Sequence, residues 1–178
     1  MKFATSILTL TLAYSAFAEP IPNQKRSLAD YQNVFNGISA QVGVVSGNVA
    51  SYVAGTIAGT VVQDSSNDLV DIINTGATNV AGFAALGTLD ALSLVGPIQT
   101  LTADVSDLID AVIGAEPNFD ADGLSADVLA SLQGQRAGAE ALRDAITPKV
   151  PAAVQEIAAD LAEGIVTEID RGIVAYSD

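Results

Sequence analysis

The sequence contains no cysteine, no histidine and no tryptophan, and each absence narrows the classes of protein it can encode. Without cysteine the chain has no disulfide and no thiol nucleophile, so its fold depends on a packed core. Without histidine it lacks the side chain most used for proton transfer at neutral pH. A G-x-S-x-G motif is also missing, and no pair of carboxylates stands out. We therefore predict a non-catalytic protein with no cofactor and no metal site.

Basic residues are scarce in this chain. It has seven lysines and arginines against 21 acidic residues, and residues 27–178 keep four of the former and 20 of the latter, a formal charge of −16. Charge of this sign repels phosphate backbones and anionic lipid headgroups, so we predict no nucleic-acid partner. Hydrophobic residues make up 49% of the chain and aromatic residues only 5%, which indicates an aliphatic core rich in alanine.

Residues 1–18 have the features of a secretory signal peptide. Lys2 is followed by an uncharged, largely apolar run, which ends in the small-residue pattern Ala16-Phe17-Ala18. The run is shorter than the roughly 20 apolar residues that span a bilayer, although an N-terminal anchor is the alternative interpretation. We predict cleavage after Ala18, no transmembrane segment in the mature chain, and a protein that is secreted to the extracellular space or the cell wall.

A short pro-segment is predicted over residues 19–26, "EPIPNQKR". Its two prolines disfavour regular structure, and it ends in the dibasic pair Lys25-Arg26, a typical site for a Kex2-like processing protease. A second cleavage there would leave residues 27–178 as a single domain. Alternatively, the pair is two solvated charges on a flexible tail, and the mature chain begins at Glu19.

Apolar residues recur at steps of three and four along the mature sequence, which predicts an all-α protein. Five helices of roughly 20 residues are expected. Their apolar positions run from Tyr31 to Tyr52, from Val62 to Val80, from Leu92 to Val112, from Val128 to Ile146, and from Val154 to Ile173. The third of these helices is expected to begin near Thr88 as its N-cap and to kink at Pro97. Residues 114–123, "GAEPNFDADG", are predicted to form a loop. The short connections favour an up-and-down antiparallel bundle.

Two G-x-x-x-G stretches, "GVVSG" over residues 43–47 and "GTIAG" over residues 55–59, lie in the first part of the mature chain. We interpret them as small residues that let two soluble helices pack closely. Two alternatives are a dimer face in a membrane and a loosely held N-terminal half that opens to admit a lipid, since glycine weakens a helix by about 1 kcal/mol relative to alanine.

The stretch "NFDADGLSADVL" matches the first half of a calcium-binding EF-hand loop. The position that requires a bidentate glutamate is Leu129, however. We interpret the stretch as an acidic turn before a helix that begins near Leu124 or Ser125.

Three segments carry a resemblance to a known family: "DYQNVFNGISAQV", "AEALRDAITPKVPAAVQEIAADLAEGI" and "IDRGIVAYS". They resemble the fungal hydrophobic surface binding protein A family, also called the cell-wall galactomannoprotein family. The likeness covers essentially the whole mature chain, and "ITPKVP" is its most specific piece. The resemblance implies a secreted or wall-associated helical bundle. It also implies either adsorption to hydrophobic surfaces, with recruitment of hydrolases, or carriage of fatty acids between helices.

The lipid-carrier interpretation assigns residues to a site. The apolar side chains of the predicted third and last helices would line it: Val95, Ile98, Leu101, Val105, Leu108, Ile157, Leu161, Ile165 and Ile169. A tyrosine hydroxyl, from Tyr31, Tyr52 or Tyr176, would anchor the carboxylate of the fatty acid. The alternatives are an adsorbent that coats hydrophobic solids and recruits a secreted hydrolase, and a structural or antigenic cell-wall mannoprotein.

The processing prediction can be tested by the intact mass of the secreted protein. We expect a mass that corresponds to a chain beginning at Ser27, because both the signal peptide and the pro-segment would be removed. A mass that begins at Glu19 would show that the Lys25-Arg26 pair is not cleaved, and a mass that includes Met1 would contradict the signal peptide itself.

Overall fold

The computed structural model describes the backbone of residues 24–177 and the side chains from Leu28 onward. Ala18 and the side chains of Lys25 and Arg26 lie outside the described residues, so the two cleavage sites stay predictions. Within the described range the chain is all-α, with seven α-helices, one short 3₁₀ helix and no strand. The α-helices are α1 (Gln24–Val53), α2 (Gly59–Ala81), α3 (Thr88–Ser93), α4 (Val95–Gly114), α5 (Glu116–Ala121), α6 (Ser125–Ile146) and α7 (Ala152–Ala175).

The five long helices form a closed ring. Each packs against two neighbours, in the order α1, α2, α6, α7, α4 and back to α1. Their buried faces follow the helical spacing in the sequence. On α1, for example, Phe35, Ile38, Val42, Val45 and Val49 are at most 5% exposed. The core therefore lies along the axis of the ring, where all five apolar faces meet.

Successive long helices run in opposite directions, as the up-and-down prediction states, but most neighbours in the ring are parallel. Contacts between α1 and α2, and the ion pairs between α6 and α7, join antiparallel helices. Polar contacts between α1 and α4, between α2 and α6, and between α4 and α7 join parallel ones. The parallel pairs arise because helices that are not consecutive in the chain have become neighbours.

Aromatic side chains close the two ends of the ring. At one end, here called the Tyr31 end, the rings of Tyr31 and Phe83 meet edge to face at 5.2 Å. At the other, the Tyr52 end, Tyr52 stacks on Phe119 at 4.6 Å and Tyr176 lies beyond Phe119 at 6.4 Å. Helices α1, α4 and α7 run from the Tyr31 end to the Tyr52 end, and α2 and α6 run back. The middle of the ring is left almost entirely to aliphatic side chains.

Two stretches differ from the predicted helix boundaries, so the described residues form seven α-helices and not five. The predicted third helix is interrupted at Leu94, three residues before Pro97, and continues as α4 with Pro97 in its first turn. Residues 114–123 are not simply a loop. They contain α5, which has Pro117 in its first turn and Phe119 buried against Tyr52.

The G-x-x-x-G prediction was also wrong for residues 43–47. A side chain added at Gly43 or Gly47 would meet no atom within 4 Å, so neither glycine lets a second helix approach. Gly55 takes a positive φ of 71° in the turn after α1, and Gly59 lies against Leu124. The close approaches occur elsewhere, for example at Gly138, where an added Cβ would lie 2.9 Å from a methyl of Ile73.

The stretch "ITPKVP" connects α6 to α7 at the Tyr31 end. Lys149 donates hydrogen bonds to the carbonyl oxygens of Ala81 and Phe83, at 2.9 and 2.8 Å, just where α2 ends. The amide of Leu86 in turn donates to the carbonyl of Lys149. A cation suits the negative end of the helix dipole, so this lysine ties the α6–α7 connection to α2.

A matched pair of glycine variants tests this account of packing. Gly138→Ala should lower the free energy of unfolding by about 1–3 kcal/mol, because the new methyl overlaps Ile73. Gly43→Ala should raise it by about 0.5–1 kcal/mol, because the site is open and alanine favours a helix. Urea denaturation measures both values, and the same sign for the two variants would contradict the structure.

Candidate functional site

A ring of five helices has more space along its axis than its side chains can fill. With adjacent axes about 9 Å apart, each axis of a five-membered ring lies about 8 Å from the centre, compared with about 6 Å for four helices. Side chains extend about 5–6 Å from a helix axis. The geometry therefore leaves a narrow channel along the axis, about as wide as one hydrocarbon chain.

The structure has a central cavity at this place. Its volume is about 80 Å³, measured as the space that the centre of a water molecule can occupy, and part of it opens to solvent. All five long helices contribute to its walls, which are almost wholly apolar. The lining includes Phe35, Ile38 and Val42 of α1, Leu69 and Ile73 of α2, Ala139, Leu142 and Ile146 of α6, and Ala158 and Ala162 of α7.

A smaller cavity adjoins the central one on each side. The Tyr52-end cavity, of about 30 Å³ by the same measure, shares Leu108 and Gln135 with it. The Tyr31-end cavity, also of about 30 Å³, shares Phe35, Ile98, Ile146 and Ala158. Each junction consists of side chains common to two cavities, so the three cavities lie in series along the ring.

All nine apolar residues predicted from the sequence as ligand-lining face one of these spaces. Six line the central cavity: Ile98, Leu101, Val105, Leu108, Ile165 and Ile169. The other three, Val95, Ile157 and Leu161, line the Tyr31-end cavity, as Ile98 also does. The sequence analysis missed the walls that α1, α2 and α6 provide, since it had no means of deciding which helices share the axis.

The three tyrosines predicted as anchors do not line any of these three cavities, and their hydroxyl groups already donate hydrogen bonds. Tyr31 donates to the carbonyl of Ala84 at 3.1 Å and Tyr176 to that of Val112 at 2.7 Å. Tyr52 lies 2.8 Å from both the carbonyl of Asn118 and the carboxylate of Asp122. They hold the two ends of the ring together and are not available to a ligand in the central cavity.

Three polar side chains that the sequence analysis missed do line the central cavity, and one of them, Thr147, donates its hydroxyl to the carbonyl of Arg143. Gln135, on α6, is only 5% exposed and faces both the central and the Tyr52-end cavity. Arg143, two turns further along α6, lies at the rim with its side chain 29% exposed and paired with Asp144 and Glu163. One signal could have identified Gln135, because it interrupts the helical spacing of buried positions between Leu132 and Leu142.

Other kinds of site find no support in the part of the chain that the structure describes. No cluster of three or more metal-ligating side chains occurs among these residues. Asp122, from the stretch similar to an EF-hand loop, accepts the Tyr52 hydroxyl. None of the described helices is long and apolar enough to cross a membrane.

These features define a class of protein: an all-helical ring whose axis is an elongated apolar cavity. Residues 28–148 match the family model described as hydrophobic surface binding protein A. The chain therefore belongs to the hydrophobic surface binding protein A family, as the sequence segments predicted.

Similar proteins are fungal. Cell wall mannoprotein 1 of Aspergillus fumigatus is 36% identical over 178 residues, a match that covers all of this chain and 61% of that protein. The chain thus spans about three fifths of the length of this relative. Ligand-binding domain 1 of the Penicillium marneffei MP1 protein, solved in complex with arachidonic acids, has a TM-score of 0.81 at 23% identity and covers 86% of this chain and 100% of that one. Ligand-binding domain 2 of the same protein, solved in complex with multiple arachidonic acids, has a TM-score of 0.78 at 26% identity. This match covers 84% of this chain and 95% of that domain.

The buried tyrosines make the fold sensitive to alkaline pH. Burial raises the pKa of Tyr31 to about 12, and burial with the neighbouring Asp122 raises that of Tyr52 to about 12; burial also raises the pKa of Tyr176. In the unfolded chain a tyrosine ionises near pH 10. The stability these groups contribute is therefore complete below pH 10 and is lost as the pH rises from about 10 to 12.

We expect phenolate absorbance at about 295 nm to rise only as the helical circular dichroism falls, because the hydroxyls ionise when the ring opens. A titration that follows both signals on one sample measures this. If one or more of the three tyrosines in residues 27–178 ionises near pH 10 while the helical signal stays intact, the burial of these hydroxyls is contradicted.

Proposed function

We propose that the protein binds the acyl chain of a fatty acid, or of a related lipid, in the central cavity and acts without catalysis. The observation that carries this proposal is the cavity itself, an elongated apolar space lined by all five long helices. Each methylene transferred into such a space from water contributes about 0.8 kcal/mol. A long acyl chain in this channel would therefore bind tightly even with few polar contacts.

The relatives support this function. The two MP1 domains have the same fold and were solved with arachidonic acids. The cell-wall relatives, together with the sequence features of residues 1–26, support a secreted protein that resides in the cell wall or the extracellular space. The predicted mature domain would comprise residues 27–178, with the signal peptide and pro-segment removed.

A second function, adsorption to hydrophobic solids, is favoured by one exposed surface. Leu89 and Leu92, on the short helix α3, are 83% and 42% exposed, and Ile157 on α7 is 44% exposed. Leu92 and Ile157 also line the Tyr31-end cavity. This apolar patch could contact a hydrophobic surface while the acidic faces stay in water, and an adsorbed protein of this kind would recruit a secreted hydrolase.

Filling the central cavity tests the lipid-binding function. Ala162→Phe places a ring in the space that the acyl chain would occupy, so we expect the Kd for hexadecanoic acid to rise more than tenfold, the loss expected when two or more methylenes are excluded. Native mass spectrometry of delipidated protein with added hexadecanoic acid measures stoichiometry, and isothermal titration calorimetry measures Kd.

The control is Ala159→Phe, which lies three residues earlier on α7 at an exposed position and should bind like the unmodified protein. Equal affinity of all three proteins would show that the ligand does not occupy the central cavity. If the unmodified protein takes up no fatty acid but is depleted from solution by hydrophobic beads, the adsorption function replaces the lipid-binding one.

A further inference from the structure

The central cavity contains one buried polar group that no contact within the protein explains. The side chain of Gln135 is 5% exposed and lies where the central and Tyr52-end cavities meet. Among residues 24–177 its carboxamide makes no hydrogen bond. An unpaired buried amide costs roughly 1–3 kcal/mol, and most such groups in folded proteins have a partner. Leucine or alanine at this position would avoid the cost.

Two further polar side chains lie near Gln135, on the side of the ring formed by α2 and α6. In the Tyr52-end cavity, Ser66 of α2 and Ser131 of α6 are both buried next to Gln135 in the lining. Ser131 makes one long hydrogen bond, 3.4 Å, to Asn67, and Ser66 makes none with its side chain within the described residues. The α1 and α4 sides of the same space are apolar, with Val45, Leu108 and Val112. Polar side chains are therefore concentrated where α2 meets α6. Gln63 of α2 and the exposed Asp127 of α6 also belong to this lining.

We propose that the Gln135 carboxamide is the anchor for the polar head of the acyl ligand. This inference rests on the proposed lipid-binding function. The amide N–H would donate to a carboxylate oxygen, and the acyl chain would extend into the larger, central cavity toward the Tyr31 end. On α6 the lining continues from Gln135 through Ala139 and Leu142 to Ile146, about 16 Å of helix. The head would then lie inside the protein, away from bulk water.

The other polar groups near the cavity are less suited to this role. Arg143 is the only cation that lines the central cavity among the described residues, but it is partly solvated and already paired with Asp144 and Glu163. The three tyrosine hydroxyls are bonded at the ends of the ring. Gln135 is largely buried, faces both cavities and makes no side-chain hydrogen bond within residues 24–177, so its carboxamide can bind a ligand there.

The substitution Gln135→Leu keeps the size of the side chain and removes the donor. We expect the Kd for hexadecanoic acid to rise about ten- to hundredfold, since hydrogen bonds to charged groups contribute about 1.5–3 kcal/mol. The Kd for hexadecane should stay the same or fall, because the hydrocarbon has no head to anchor. The melting temperature of the delipidated protein should rise, because a buried unpaired amide has been removed. Calorimetry and thermal melts measure these quantities.

A second variant covers the case in which Gln135→Leu fails to fold. Gln135→Glu preserves shape but places a carboxyl group opposite the ligand's own, so affinity for hexadecanoic acid at pH 7 should fall at least tenfold. Affinity for hexadecan-1-ol, whose hydroxyl can donate to the new carboxyl, should change by less than threefold.

Unchanged affinity of Gln135→Leu for hexadecanoic acid would overturn the anchor. If Arg143→Met then weakens binding, the head lies at the rim between α6 and α7. Both of these results require that the unmodified protein binds hexadecanoic acid. If the unmodified protein binds none, the proposed lipid-binding function itself is contradicted.

Discussion

Five helices that close into a ring leave space along their axis when small aliphatic side chains line it, and most other features of this protein depend on that constraint. A four-helix bundle of the same residues would bring its apolar faces into direct contact. The fifth helix moves every face outward by about 1.3 Å, and alanines on α6 and α7 leave that space open. Apart from Phe35, the described aromatic side chains are placed at the two ends instead. The protein thus keeps closed ends and an open middle.

The helical content and the apolar faces could be predicted from the sequence, because three- and four-residue spacing is a local property of the chain. The sequence also shows Pro97, but it does not show where the helix around this proline is interrupted. A proline can kink a helix or begin one, and tertiary packing decided that α4 begins there. Helix α5 was missed for a related reason, since a six-residue helix that buries one phenylalanine has almost no periodic signal.

The candidate site could be predicted only in part. The apolar faces of α4 and α7 line the axial cavities, yet those of α1, α2 and α6 do so equally, and the order of helices around the ring cannot be obtained from spacing alone. The tyrosines were predicted as anchors because each has a hydroxyl group in an otherwise aliphatic chain. Those hydroxyls instead donate hydrogen bonds within the protein. Gln135 was the more informative residue, because it is a polar side chain in the register of buried positions, and its environment depends on neighbours that only the fold reveals.

The odd number of long helices has a consequence for how the chain passes through the molecule. With an even number, a bundle of alternating helices returns to the end where it started. Here α1 begins at the Tyr31 end and α7 finishes at the Tyr52 end, beside Val112. The polypeptide therefore enters and leaves on opposite sides, separated by about 36 Å, the length of a 24-residue helix. Units of this design joined in series would stack lengthwise, so that each added unit extends the reach of the chain outward from its point of attachment.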